Sequence, residues 1–144
     1  MSPALPVSLR ELIAALNDAS SWTRFHYFDR ITGEIETALT EEVDGTGTFS
    51  DVRANQARFV PITALPRWLR LQVRQQFVQQ VDEAATRLDL DEALKSAKAI
   101  AGFERLLRLH PHLQDAFLEF RDRALQEAAR AWLSHHKVRA ALSP

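Results

Sequence analysis

The chain has 144 residues, 46% hydrophobic and 26% charged, with a formal net charge of -1 and no cysteine. That length suits one domain with enough core to fold without a metal or disulfide, and the missing thiols exclude disulfides, thiolate metal sites, iron–sulfur clusters and cysteine nucleophiles. A near-neutral chain sets up no bulk field toward nucleic acid or anionic lipid, and no apolar run approaches the roughly 20 residues of a membrane span.

The opening segment MSPALPVSLRELIAAL is interrupted by Arg10 and Glu11 and so lacks the pattern of a signal peptide. The expectation is a cytoplasmic protein of one domain, 1–144. Its ends are predicted to fray over roughly 1–6 and 136–144, because chain termini order only when something ties them down.

Ser8 and Glu11 stand at capping-box spacing, and Leu9, Leu12, Ile13 and Leu16 follow at helix spacing. Asn17, Asp18, Ser20 and Ser21 close that helix. Aromatic and β-branched residues come next: Trp22, Phe25, Tyr27 and Phe28, then Ile35 and Thr37. Such side chains suit a pleated surface, and Gly33 supplies the left-handed backbone that short hairpin loops need. Strands are therefore predicted over 24–29 and 34–39, with Phe25 and Tyr27 on one face and His26 and Phe28 on the other. The stretch EEVDGTGTFSD reads as a mobile loop over roughly 40–55, rich in Gly, Thr and acids. RFVPI, residues 58–62, reads as a third strand, placed at a sheet edge because Pro61 cannot donate a ladder bond.

From Pro66 the pattern is helical, since proline suits the first turn of a helix. Phe77, Val78, Val81, Ala84, Ala85 and Leu88 recur at helix spacing and predict one stripe. Asp89 or Asp91 is the expected cap of a further helix, which Gly102 either breaks or packs closely. Pro111 ends that helix and opens a last one, whose stripe runs through Leu113, Phe117, Phe120, Ala124, Ala128 and Ala131, with Leu118, Leu125 and Trp132 beside it at steps of seven. The fold expected is α+β and helix-dominated: a small three-stranded antiparallel sheet packed on about four helices.

Side chains able to do chemistry are scattered. His110 and His112 flank Pro111, and His135 and His136 lie about six turns further on, so three converging zinc ligands are not expected. Glu41, Glu42, Asp44 and Asp51 lack the alternating acids and closing Glu of a calcium loop. No serine sits in a nucleophile elbow, and on a strand His26 and Asp29 point to opposite faces. No catalytic residue, metal or cofactor is predicted.

Binding is better supported. Fifteen of the eighteen basic residues are Arg. Arg67, Arg70 and Arg74 share one helix face, with Trp68, Gln72, Gln75 and Gln76 nearby, an arrangement able to meet phosphates and base edges. It gains weight if Arg105, Arg108 or Arg121 joins it. Tyr27 and Trp22 are candidate interface anchors.

The hairpin FHYFDRITGEIE is similar to the Tyr-Leu-Asp-x-x-Thr-Gly-Glu-Val signature of a small bacterial family of the UPF (uncharacterised protein family) type. The later stretch resembles the same family's ending, through Phe103, then Phe117, Phe120, Arg121 and Asp122, then Ala129, Arg130, Trp132 and Leu133. These segments cover roughly half the chain, whereas the EEVDGTGTFSD stretch and the Arg/Gln-rich helix depart from the pattern. The resemblance implies a cytosolic bacterial protein and carries no activity or catalytic residue with it. Taken together, the expectation is a non-catalytic interaction or regulatory module whose partner is another protein or a second copy, not a membrane. The alternatives are nucleic-acid binding through the Arg face, and a small enzyme using His26, Tyr27 or the acidic loop.

Overall fold

The computed structural model describes residues 4–19, 24–39 and 55–143. Trp22, the Ser20–Ser21 turn and the expected loop with Glu41, Glu42, Asp44 and Asp51 lie outside these. The elements in chain order are β1 (Leu5–Ser8), α1 (Leu9–Leu16), β2 (Arg24–Asp29), β3 (Ile35–Leu39), β4 (Phe59–Ile62), α2 (Arg67–Val78), α3 (Ala84–Leu94), α4 (Ala99–Arg108), α5 (Pro111–Ala124), α6 (Gln126–His135) and β5 (Ala140–Ser143). The chain is α+β and helix-dominated, as its patterning predicts. No helix among the described residues is long and apolar enough to cross a membrane. The length that suggests one domain is shared between two compact units, residues 1–65 with 125–144 and residues 66–124.

The first unit carries the sheets. Ser8 caps α1 as its spacing predicts, its hydroxyl accepting the Glu11 N–H at 3.2 Å. Leu12, Ile13, Ala15 and Leu16 are each no more than 1% exposed, so the helix buries one stripe. The antiparallel sheet has the order β3-β2-β4, with His26 opposite Thr37 on one side and Ile62 on the other. Pro61 lies on β4, the edge strand among the described residues, where its missing N–H is tolerated.

The turn after β2 explains the DRITGE spelling. The Asp29 carboxylate accepts the Ile31 N–H at 2.8 Å and the Thr32 N–H at 3.4 Å, and the Thr32 hydroxyl accepts the Glu34 N–H at 3.1 Å. Gly33 has φ 80°, and a Cβ there would run into the carbonyl oxygen of Pro6 on β1. Both backbone conformation and space therefore demand glycine.

Residues 5–8 and 140–143, where fraying is partly expected, form strands. β1 pairs in parallel with β5, Leu5 with Ala140 through Ser8 with Ser143, and the Leu5 N–H donates to Arg139 at 2.9 Å. Short tail segments with no internal periodicity satisfy each other's backbone groups, a pairing that neither segment signals alone.

The second unit is helical, and its boundaries differ from the predicted ones. The stripe expected over 77–88 is broken: α2 stops at Val78, and the chain turns through 79–83 before α3. The N–H groups of Gln80 and Val81 bond three residues back, to Phe77 and Val78, which tightens the end of α2. Val81 is buried while Ala84, Ala85 and Leu88 face solvent. Asp89 and Asp91 are inside α3 and cap nothing, and Gly102 lies within α4. The long last helix is likewise two helices: Leu125, at φ -105° and ψ 9°, separates α5 from α6. Leu118 is consequently 38% exposed while Leu125 is buried, so their spacing of seven does not mark one face.

The core of this unit is aromatic. Phe77, Phe103 and Phe117 pack edge to face with centroids 5.1–6.5 Å apart, a preferred geometry for ring quadrupoles.

Candidate functional site

The predicted Arg face is divided by burial. Arg67 is exposed, Arg70 is half-buried and Trp68 is 65% exposed. Arg74 is 3% exposed. Its guanidinium lies 5.3 Å from the Phe117 ring centroid and 5.8 Å from that of Phe103, donates to the Arg70 carbonyl at 2.8 Å and meets Glu104 at 3.3 Å. Burial lowers its pKa most; neighbouring Arg70 and Arg121 add to this, against the pull of Glu104. Arg74 is therefore a packing residue, and the set that reaches solvent contracts to Arg67, Trp68 and the half-buried Arg70. Burial and the charge of Arg67 also lower the pKa of Arg70. Arg121 does join the buried end of the cluster, but Asp122 engages it at 3.0 Å.

Tyr27 is not a surface anchor. It is 1% exposed, its hydroxyl donates to Glu36 at 2.6 Å, and its ring stands edge-on to Phe59 at 5.3 Å. Strand alternation places it correctly on the Phe25 face; which face becomes covered was not decided by alternation.

One arrangement in the sheet unit escaped sequence reasoning. His26 Nε2 lies 2.7 Å from Asp18 Oδ2, and its Nδ1 lies 2.7 Å from the Thr37 hydroxyl. A carboxylate only accepts, so Nε2 carries hydrogen, and in the neutral ring Nδ1 accepts from Thr37. The order hydroxyl–imidazole–carboxylate is that of an acid–base relay. Arg24 also donates to Asp18 Oδ2, at 2.6 Å. The His26 side chain is 14% exposed and that of Asp18 13%, so the set first satisfies a half-buried imidazole and ties the end of α1 to the central strand. Asp18 lies in a segment predicted as a turn, and only folding brings it beside His26.

Asp29 and Arg58 form a second polar set. Arg58 Nε and Nη2 donate to the two carboxylate oxygens at 3.1 and 2.9 Å. The Arg58 hydrogen bond holds the Asp29 carboxyl below its ordinary value of 3.8, helped by the Ile31 and Thr32 N–H groups and opposed by burial. This set holds the turn.

The helical unit contains a cleft of about 430 Å3 between α2, α3 and α5. Phe77, Val81, Leu113, Ala116 and Phe120 supply its apolar surface. Asp82, Glu83 and Glu119 bring carboxylates, Arg123 a guanidinium, and His110 and His112 two imidazoles. The turn at 79–83, which the sequence blurs, presents Asp82 and Glu83, and the Pro111 junction, which it marks, presents the two histidines. Thr86 donates to Glu83 at 3.0 Å. No group of three or more His, Asp or Glu among the described residues could hold a metal ion. His135 and His136 belong to the first unit, where His136 stacks on Trp132 at 4.3 Å.

Residues 3–143 match the Uncharacterised protein family (UPF0158), and the chain belongs to that family. The match extends the likeness read from the hairpin and the closing helices through the middle of the chain. No curated protein and no solved structure matches.

Proposed function

We propose that the chain is a non-catalytic cytoplasmic module that acts by recognition, and that its recognition site is the cleft of the helical unit. The observation carrying this is the cleft itself. Its volume of about 430 Å3 falls in the range of small-ligand sites, and its lining sets two phenylalanines and three aliphatic residues among six ionisable groups able to orient a ligand. Leu88, Leu109 and Leu118, exposed on the same unit, offer apolar contact to a protein partner or a second copy that would receive the signal. A fragment screen by NMR on the full chain tests this. Hits should shift amides of Val81, Leu113 and Ala116 and vanish in Ala116→Trp, which fills the cleft. Hits that ignore this substitution sink the reading.

A second reading is favoured by Trp68, which stands 65% exposed between Arg67 and Arg70 on the first turn of α2. An exposed ring for base stacking beside two guanidiniums is a small single-strand nucleic-acid platform. Binding of a labelled oligonucleotide should weaken as salt rises and fall several-fold in Trp68→Ala, since stacking contributes about 1–3 kcal/mol per base. Affinity that is indifferent to salt excludes it.

A further inference from the structure

We infer that the ligand of the helical-unit cleft is an organic cation, an amine or guanidinium carried on an apolar body; this rests on the reading of the cleft as the recognition site. Charge decides the sign. The lining brings three carboxylates, from Asp82, Glu83 and Glu119, against one guanidinium, from Arg123. Asp82, Glu119 and Arg123 make no ion pair among the described residues, so these charges are not neutralised within the fold. The carboxylates come from two separate elements, the 79–83 turn and α5, so they border the cavity on more than one side.

The floor decides the body. Phe120 is half-buried, with its centroid 5.7 Å from that of Phe77 at an interplanar angle of 56°. Both rings line the cleft, and a phenyl ring attracts a cation at its face and gives apolar surface to the chain that carries it. Among the lining residues an anion would meet Arg123 and the two imidazoles against three carboxylates, with the Arg87 guanidinium behind them on the Val81 carbonyl at 3.2 Å.

The test titrates 2-phenylethylamine into the full chain and follows backbone amides by NMR. Two probes of the same shape serve as comparators: 3-phenylpropionate, of opposite charge, and neutral 2-phenylethanol. The amine should shift Val81, Leu113 and Ala116 saturably. Asp82→Asn and Glu119→Gln should each weaken it about tenfold, whereas Glu92→Gln, an exposed acid outside the cleft, should leave it unchanged. Arg123→Gln should tighten it. If the propionate or the alcohol binds as well as the amine, or if both acid substitutions leave the amine's affinity unchanged, the cation assignment falls while the cleft stands as a site. If none of the three probes moves the cleft amides, both the assignment and the underlying reading fail.

Discussion

Two residues show how locally this fold can be broken. Gly33 has φ 80° and no room for a side chain beside the Pro6 carbonyl. Gly33→Ala should cost roughly 1–3 kcal/mol in urea unfolding, through left-handed strain and displacement of β1. Gly33→Asn separates the two causes: asparagine tolerates the conformation but still collides, so it should be no better than alanine. Arg74 poses the opposite question, since its charge is almost fully removed from water. If its contribution is packing against Phe103 and Phe117, Arg74→Met should change stability by less than about 1.5 kcal/mol, and Arg74→Ala should cost about 2–4 kcal/mol through the void. Equal losses in the two variants would show that the guanidinium itself is required.

At the scale of elements, the least expected feature is the ladder between β1 and β5. A two-stranded sheet is marginal alone, and this one is anchored by Val7, 1% exposed, and by the close approach of Gly33. Deleting residues 140–143 should lower unfolding free energy by about 1–3 kcal/mol and speed amide exchange at Val7. Unchanged exchange would mean that β1 is held from elsewhere. The hairpin and α1 were legible because their signals are local: strand-forming residues about Gly33, and Ser8 with Glu11 ahead of an apolar stripe. The breaks at 79–83 and Leu125 were not, because apolar spacing runs on through both and only tertiary burial, of Val81 in one case and Leu125 in the other, resets the helix. The cleft was illegible partly for the same reason, since the first of those breaks supplies Gln80, Val81, Asp82 and Glu83 to its lining. The Arg face was legible as a stripe, but periodicity could not tell that its third member packs between two phenylalanines.

For the whole molecule, acid should weaken the fold in two stages. The His136 pKa is lowered, by burial first and then by His135 and Arg30. The unfolded chain therefore takes up a proton first as pH falls through the ordinary value of 6.5, and the folded state loses stability until His136 also protonates. Asp29, likewise lowered, adds stability that is complete above its ordinary 3.8 and is lost as pH falls through its folded value. Unfolding free energy measured from pH 8 to pH 2 should decline in both windows. His136→Gln should flatten the upper step and Asp29→Asn the lower. A stability that rises below pH 6.5 would contradict the first assignment.

The sheet unit is assembled from residues 1–65 and 125–144, with the helical unit between them in sequence. On the ribosome, β1 leaves the tunnel long before its partner β5 is made. Residues 66–124 can close their aromatic core from neighbouring helices once they have emerged, whereas β1 must wait with open hydrogen-bonding groups until β5 has emerged. A released chain truncated before residue 140 should thus hold a formed helical unit and an exposed β1, the state in which a chaperone would meet this protein.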